Sequence, residues 1–313
     1  MTHTVPPEHA GARLDSFLSI ACGWSRRIAQ QAILAGQVRI NGRRARKGTT
    51  LSEGDTVEVA DEQAAEATLG ANAGLAIEVL YEDSQVLALE KPAGVPSLAL
   101  AADETDTVAN FLLARYPETA TVGRGPLESG IVHRLDTDTS GILLVARTPE
   151  AWDDLRQQFK QRRVEKEYVA VVEGNVSQAA GIDAPMAAHP RDSRRMRLVP
   201  PGTEGALRAS TRYRPLQSGR ERSVLAVRIK TGARHQIRAH LAEIGHPIVG
   251  DRLYGNPRQP DLGRHLLHAC YLAFDHPTRG DRIEIRSAPP PEFRVHAPRG
   301  TGDRDRTRRR RER

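Results

Sequence analysis

The chain is poor in cysteine and has no long apolar run. Only Cys22 and Cys270 occur in 313 residues, far apart in sequence. That excludes a disulfide framework and leads to the expectation of a reducing compartment. No uninterrupted apolar stretch approaches the roughly 20 residues of a membrane helix. The N-terminal "MTHTVPPEHAGARLD" has no apolar signal core, so a cytoplasmic protein without membrane contact is expected. Metal signatures are missing too. There is no CxxC and no HExxH, and His235, His240 and His246 are spaced so that they do not stack on one helix face. No Walker loop occurs, no GxGxxG follows a strand, and Ser25, Ser140 and Ser210 lie in no GxSxG elbow. A metalloenzyme, an NTPase and a serine hydrolase are therefore set aside, and no cofactor or metal is expected.

What is present is a sufficient core and unevenly placed charge. Hydrophobic residues make up 39% of the chain and the mean hydropathy is −0.50, which describes a soluble protein with a real interior. The net charge of +7 comes from two places. Residues 301–313 hold seven Arg against three acids and residues 11–60 hold eight Lys or Arg against four, while 61–300 balance. A basic front module and a basic tail suit a polyanion gripped away from the chemistry.

Periodicity divides the chain into a tail at 1–10, a small module at 11–60, an Ala-rich linker at 61–75, a large domain at 76–297 and a disordered basic tail at 298–313. In the module, Leu14, Phe17 and Leu18 share one helical face. Ser25 is a plausible N-cap for "RRIAQQAILAG", with Ile28, Ala32 and Ile33 inward and Gly36 as the stop. "QVRING" reads as a strand into an Asn-Gly turn and "DTVEV" as a second strand. Arg26, Arg27, Arg43, Arg44, Arg46 and Lys47 make a phosphate-gripping surface there. In the large domain, strands are expected in 76–91, "GILLVAR", "KEYVAVVEG" and "RSVLAVRIKTG". Helices are expected in "TVANFLLARYP", "EAWDDLRQQFKQRR" and "RHQIRAHLAEIG", the last stopped by Gly245. Strands outnumber helices without regular alternation. The expected fold class is α+β, a large mixed, mainly antiparallel sheet with flanking helices, plus a small N-terminal α/β domain.

The chemistry concentrates in "GIVHRLDTDTSG" at 130–141, a charged bend leading into the buried run "ILLVA". Asp136 is thereby expected at the edge of a rigid core, facing a cleft. Asp138 is better read as capping the turn than as a second catalytic carboxylate. A single nucleophilic or basic Asp must stay ionised in a partly dry site, which a neighbouring Arg achieves. Arg234, His235 and Arg238 in "KTGARHQIRAH" are the candidates.

Residues 11–60, with their "RLD" start and "VRING" core, resemble the S-four-type RNA-binding domain. The ordered set "EKPAG" (90–94), "HRLDTDTSG" (133–141), "KEY" (166–168) and "TGARHQIRAHLAEIGHPIVGDRLYG" (231–255) resembles the RluA/RluD family of pseudouridine synthases, over roughly 75–297. The resemblance implies the pseudouridine synthase fold. It also implies three catalytic residues: Asp136 as the essential one, Tyr168 packing on the uracil and helping to remove the carbon-5 proton, and Arg238 holding Asp136 ionised. Arg134 would fill the gap left by a flipped base. His133, Arg234 and His235 are then expected on the RNA. Two departures stand out: Ala233 occupies a position usually held by Arg, and "KPAGVPSLAL" lacks a following His-Pro. The implied partner is RNA, large-subunit ribosomal RNA before tRNA, bound by a monomer. The competing readings are a non-catalytic RNA-binding protein, against which the intact "HRLD" argues, and a uracil-releasing hydrolase, for which no good carboxylate pair exists.

Overall fold

The computed structural model describes all residues except Gly23, Ser25, Lys47, 61–68, Ala102, 124–126, 257–261 and 297–313, and except the side chains of Arg26, Arg27, Gln31, Val295 and His296. The chain divides into two units, Met1–Ala67 and Thr68–Arg313.

In the first unit, β1 (Thr2–Thr4), β2 (Val38–Ile40), β3 (Arg43–Arg44) and β4 (Thr56–Val59) form an antiparallel sheet in the order β1-β4-β2-β3. Helices α1 (Leu14–Ala21) and α2 (Arg26–Ala35) pack with it around Leu14, Phe17, Leu18, Ile33, Val38 and Val57. The expected tail at 1–10 thus includes an edge strand, and Val5 is buried. The Asn41-Gly42 turn has positive φ at both residues (50° and 75°), the backbone of a tight hairpin turn that matches strand twist. The Ser25 cap lies outside the described residues.

The second unit is built on a nine-stranded sheet among the described residues. Its elements are β5 (Glu78–Glu82), β6 (Val86–Lys91), α3 (Val108–Arg115), β7 (Ser140–Ala146), α4 (Pro149–Lys160), β8 (Glu165–Glu173), β9 (Ala180–Asp183), β10 (Met186–Ala188), β11 (Met196–Leu198), β12 (Ser210–Ser218), β13 (Arg222–Ile229), α5 (Gln236–Glu243), β14 (Leu267–Asp275), β15 (Arg282–Arg286) and α6 (Glu292–His296). The sheet runs β5-β6-β7-β14-β8-β13-β12-β9, with β15 also on β14, and β10 and β11 form a separate hairpin. The pairing of β7 with β14 is parallel and the other strand pairings are antiparallel. The sheet is therefore mixed and mainly antiparallel.

Strand β7 is buried along its whole length, which explains its unbroken apolar sequence. Leu143 and Val145 face one core with Leu89, Leu112 and Tyr168, while Ile142 and Leu144 face another with Leu155 of α4 and Phe274. Each such side chain contributes about 2 kcal/mol by leaving water. Gly141 has φ +111°, and a Cβ there would collide with the Ala269 backbone, so glycine is what lets β14 lie beside the start of β7. Residues 69–75 belong to this unit. Leu69 is buried, and the Asn110 side chain, which with Thr107 closes the α3 capping box, also donates to the Gly70 carbonyl at 2.6 Å.

Candidate active site

The bend before β7 is pinned from three sides. Its turn closes by the Thr139 N–H donating to the Asp136 carbonyl at 3.0 Å, a backbone contact in place of the expected Asp138 cap. Lys91, fully buried at the end of β6, donates to the carbonyls of Pro92 (2.9 Å), Val95 (2.7 Å) and Thr137 (2.8 Å). Burial, with Arg264 nearby, pulls its pKa down to about 7, while three carbonyl acceptors use all three N–H donors of the charged form. The Ser97 hydroxyl donates to the Leu135 carbonyl at 2.9 Å and accepts from the Leu135 N–H at 3.1 Å. Thr139 Oγ1 lies 2.8 Å from Nε2 of the buried His265. Lys91 of "EKPAG", Ser97 just after it and His265 together hold the bend that carries Asp136.

Arg238 of α5 reaches that bend. Its Nη1 donates to Asp136 Oδ2 at 2.9 Å, and its Nε and Nη2 donate to the two oxygens of Asp251 at 2.7 and 2.9 Å. Burial opposes ionisation of Asp136, but His235 and Arg238 outweigh it and hold the carboxyl below its usual range. Asp251 is held down in the same way, its burial overcome by Arg238. His235 sits 3.9 Å from Asp136, its Nδ1 3.1 Å from the Tyr254 hydroxyl. It is the N-cap of α5 at φ 56°, a left-handed backbone uncommon outside glycine, and burial lowers its pKa. Tyr168 on β8 is buried and lines the same cleft, and burial together with Asp136 raises its phenol well above the usual value, so it stays protonated.

The cleft holds about 870 Å³ and is lined by Arg134, Arg156, Lys160, Arg162, Lys166, Arg208, Lys230 and Arg238 against two carboxylates, Asp136 and Asp153. Lys166 donates to the Thr231 carbonyl at 3.2 Å, lies 5.5 Å from the Phe159 ring centre, and is lowered by burial to about 8. A cleft with an ionised carboxylate among so many cations can hold a phosphate backbone while presenting one base or sugar to Asp136.

The structure brings Asp136, Tyr168, Arg238, Arg134, His133 and His235 to one cleft. Their environments differ. Arg134 is exposed there, with no hydrogen-bond partner among the described residues. His133 stacks on Phe159 with ring centres 4.8 Å apart and accepts the Leu144 N–H at Nε2 (3.0 Å), and burial, with Lys166 and Arg156 nearby, lowers its pKa to about 3. It anchors the bend as a neutral ring. Arg234 is outside the cleft lining and donates to the carbonyls of Ser193 (2.6 Å) and Arg195 (3.4 Å), tying the β10–β11 hairpin to α5. Ala233 lines the cleft, and its N–H donates to the Gln236 side chain at 3.2 Å.

In the first unit Arg43, Arg44 and Arg46 are exposed, and Arg44 also donates to the Leu34 carbonyl at the end of α2 (3.0 Å). Lys47 and the side chains of Arg26 and Arg27 lie outside the described residues. Asp15 of "RLD" is paired with Arg13 (2.9 Å) and accepts from Gln30 of α2 at 2.7 Å, which joins the two helices.

Lys91, Ser97, Asp251 and His265 are the residues that the sequence reading passed over. Lys91 and Asp251 both lie inside the motifs quoted above, but nothing local shows what they touch.

The family profile described as RNA pseudouridylate synthase matches residues 85–243, and the S4 domain profile matches residues 12–57. The chain belongs to the RNA pseudouridylate synthase family, and it is an RNA pseudouridine synthase, an isomerase. The Ribosomal large subunit pseudouridine synthase D of Xanthomonas campestris pv. campestris is 38% identical over 302 residues, covering 92% of this chain and 88% of that protein. An Uncharacterized RNA pseudouridine synthase of Chloroflexus aurantiacus is 39% identical over 294 residues, covering 93% and 90%. The solved structure of Human RNA Pseudouridylate Synthase Domain Containing 1 superposes with a TM-score of 0.57 at 25% identity, covering 75% of this chain and 95% of that one.

Proposed function

We propose that the protein isomerises uridine in large-subunit ribosomal RNA, with Asp136 as the catalytic carboxylate. The observation that carries this reading is an ionised Asp136 held by Arg238 in a basic cleft beside Tyr168. Several relatives bear names that specify the ribosomal large subunit, which supports the choice of RNA. The isomerisation breaks the bond from uracil N1 to the sugar C1′ and makes a bond from C5 to C1′. The C5 proton leaves and N1 ends protonated, so the atoms balance within the nucleotide. Attack at C1′ and removal of the 2′ proton both require an ionised Asp136. Tyr168, kept as a phenol, offers its ring to the rotating uracil. The target must leave its stack to reach the cleft, and the exposed Arg134 is suited to occupy the gap. The S4 domain adds phosphate contacts of its own.

The test is to map pseudouridines by carbodiimide modification in cells lacking the gene. We expect one or more sites in large-subunit ribosomal RNA to disappear, and to return with the wild-type gene but not with Asp136→Asn. Loss of sites in tRNA alone would overturn the ribosomal assignment.

A further inference from the structure

Asp251 lies in the segment between α5 and β14, its side chain has no exposed surface, and its two oxygens take the Nε and Nη2 edge of Arg238. The carboxylate is itself fixed, because Oδ1 also accepts the N–H groups of Leu253 (2.9 Å) and Tyr254 (3.0 Å). The Tyr254 ring lies against the guanidinium, 5.3 Å from its carbon. A guanidinium held along one edge and against one face cannot rotate. A single nitrogen, Nη1, then remains directed at Asp136.

We infer that Asp251 is a positioning residue for the isomerisation, acting on Asp136 only through Arg238 by fixing the direction from which the guanidinium meets the catalytic carboxylate. The inference rests on Asp136 being that carboxylate. A buried carboxylate needs a partner for stability alone, but stability does not require the bidentate edge to leave one nitrogen for a second acid. A misaligned guanidinium would let Asp136 turn away from the sugar, and small displacements at a reacting group cost on the order of 100-fold in rate.

The experiment measures the single-turnover rate constant on an RNA fragment that the wild type modifies, a quantity independent of the fraction of enzyme folded, together with the Kd for that RNA. Asp251→Asn keeps the size of the side chain but places an amide against the guanidinium edge. We expect the rate constant to fall about 10- to 100-fold with Kd within about threefold of wild type. Asp251→Glu, which keeps the charge and the two oxygens, should recover part of the loss. In an Arg238→Gln background, Asp251→Asn should change the rate constant less than about twofold. That comparison also serves if Asp251→Asn alone fails to fold, since the double variant no longer sets an amide against a buried guanidinium and carries no charge at position 251. A wild-type rate constant in folded Asp251→Asn overturns the inference, as does a further large loss in the Arg238→Gln background. Substantial turnover by Asp136→Asn would instead overturn the assignment of Asp136.

Discussion

Arg238 Nη1 and Asp136 Oδ2 stand 2.9 Å apart although the two residues are 102 positions apart in the chain. The same guanidinium serves Asp251, so one cation holds two carboxylates in a partly dry site. Replacing Asp136 with Asn preserves shape and removes the charge. The variant should fold and bind RNA close to wild type, with isomerisation abolished. Retention of more than about a tenth of the activity in a pure preparation would rule out Asp136 as the catalytic group.

Arg238→Ala removes the cation that offsets burial at Asp136, so the Asp136 pKa should rise. Activity near neutral pH should fall ~100-fold or more, about 3 kcal/mol, and part should return as the pH is raised and the carboxylate ionises unaided. Asp251 is left buried without its partner, so stability should also fall by about 3–5 kcal/mol. Arg238→Lys should rescue only in part, because an ammonium cannot replace a planar fork. Arg234→Ala is the control: it frees the Ser193 and Arg195 carbonyls and should leave the pH profile of activity unmoved. Overlapping profiles for Arg238→Ala and wild type would show that the pair does not set the Asp136 pKa.

Lys91→Met should separate support of the bend from chemistry. The carbonyls of Pro92, Val95 and Thr137 lose a shared donor, a cost of about 3 kcal/mol in thermal or denaturant unfolding. Activity of the folded variant should drop because Asp136 is no longer pinned, and undiminished turnover would assign the position of Asp136 to Ser97 and Arg238 alone.

Stability should fall as the medium is acidified. The folded pKa of His133 is about 3, below the ordinary unfolded value near 6.5. Between those values the unfolded chain binds a proton that the folded chain does not. Stability from this group is therefore full above pH ~6.5 and declines toward pH ~3, on the order of 1 kcal/mol per pH unit. His133→Gln, whose amide oxygen can still accept the Leu144 N–H, should flatten the dependence measured by urea unfolding from pH 7 to 4. An unchanged slope would place the dependence on other groups such as His268, lowered by burial to about 4.

A chain beginning at Leu69 keeps the contacts of residues 69–75 with α3 and removes the S4 domain. It should still modify a short RNA, with weaker binding and a shallower dependence of affinity on salt. Equal affinity and equal salt slope would mean that the basic residues of 11–60 contact no phosphate.

Much of this protein was legible in the linear sequence, because burial imposes a period on each element. The apolar run "ILLVA" is β7, the 3.6-residue pattern around Leu155 is α4, Gly245 ends the helix of Arg238 with φ +83°, and the ordered motifs identify the family. The edge strand at Thr2–Thr4 and the β10–β11 hairpin escaped because three-residue strands carry too little period to register. The side chains that serve the site were hidden for a different reason. Arg234 and Arg238 are close neighbours in sequence, yet one precedes α5 and ties down a hairpin while the other, on the helix, meets Asp136. Lys91 and Asp251 look like ordinary charged turn residues until the fold buries them. Local pattern determines which segments are strands and helices and which motif they carry. Which carboxylate meets which cation depends on strand order, here on β14 lying parallel to β7 and antiparallel to β8, and contacts across that order leave no trace in the spacing of neighbours along the chain.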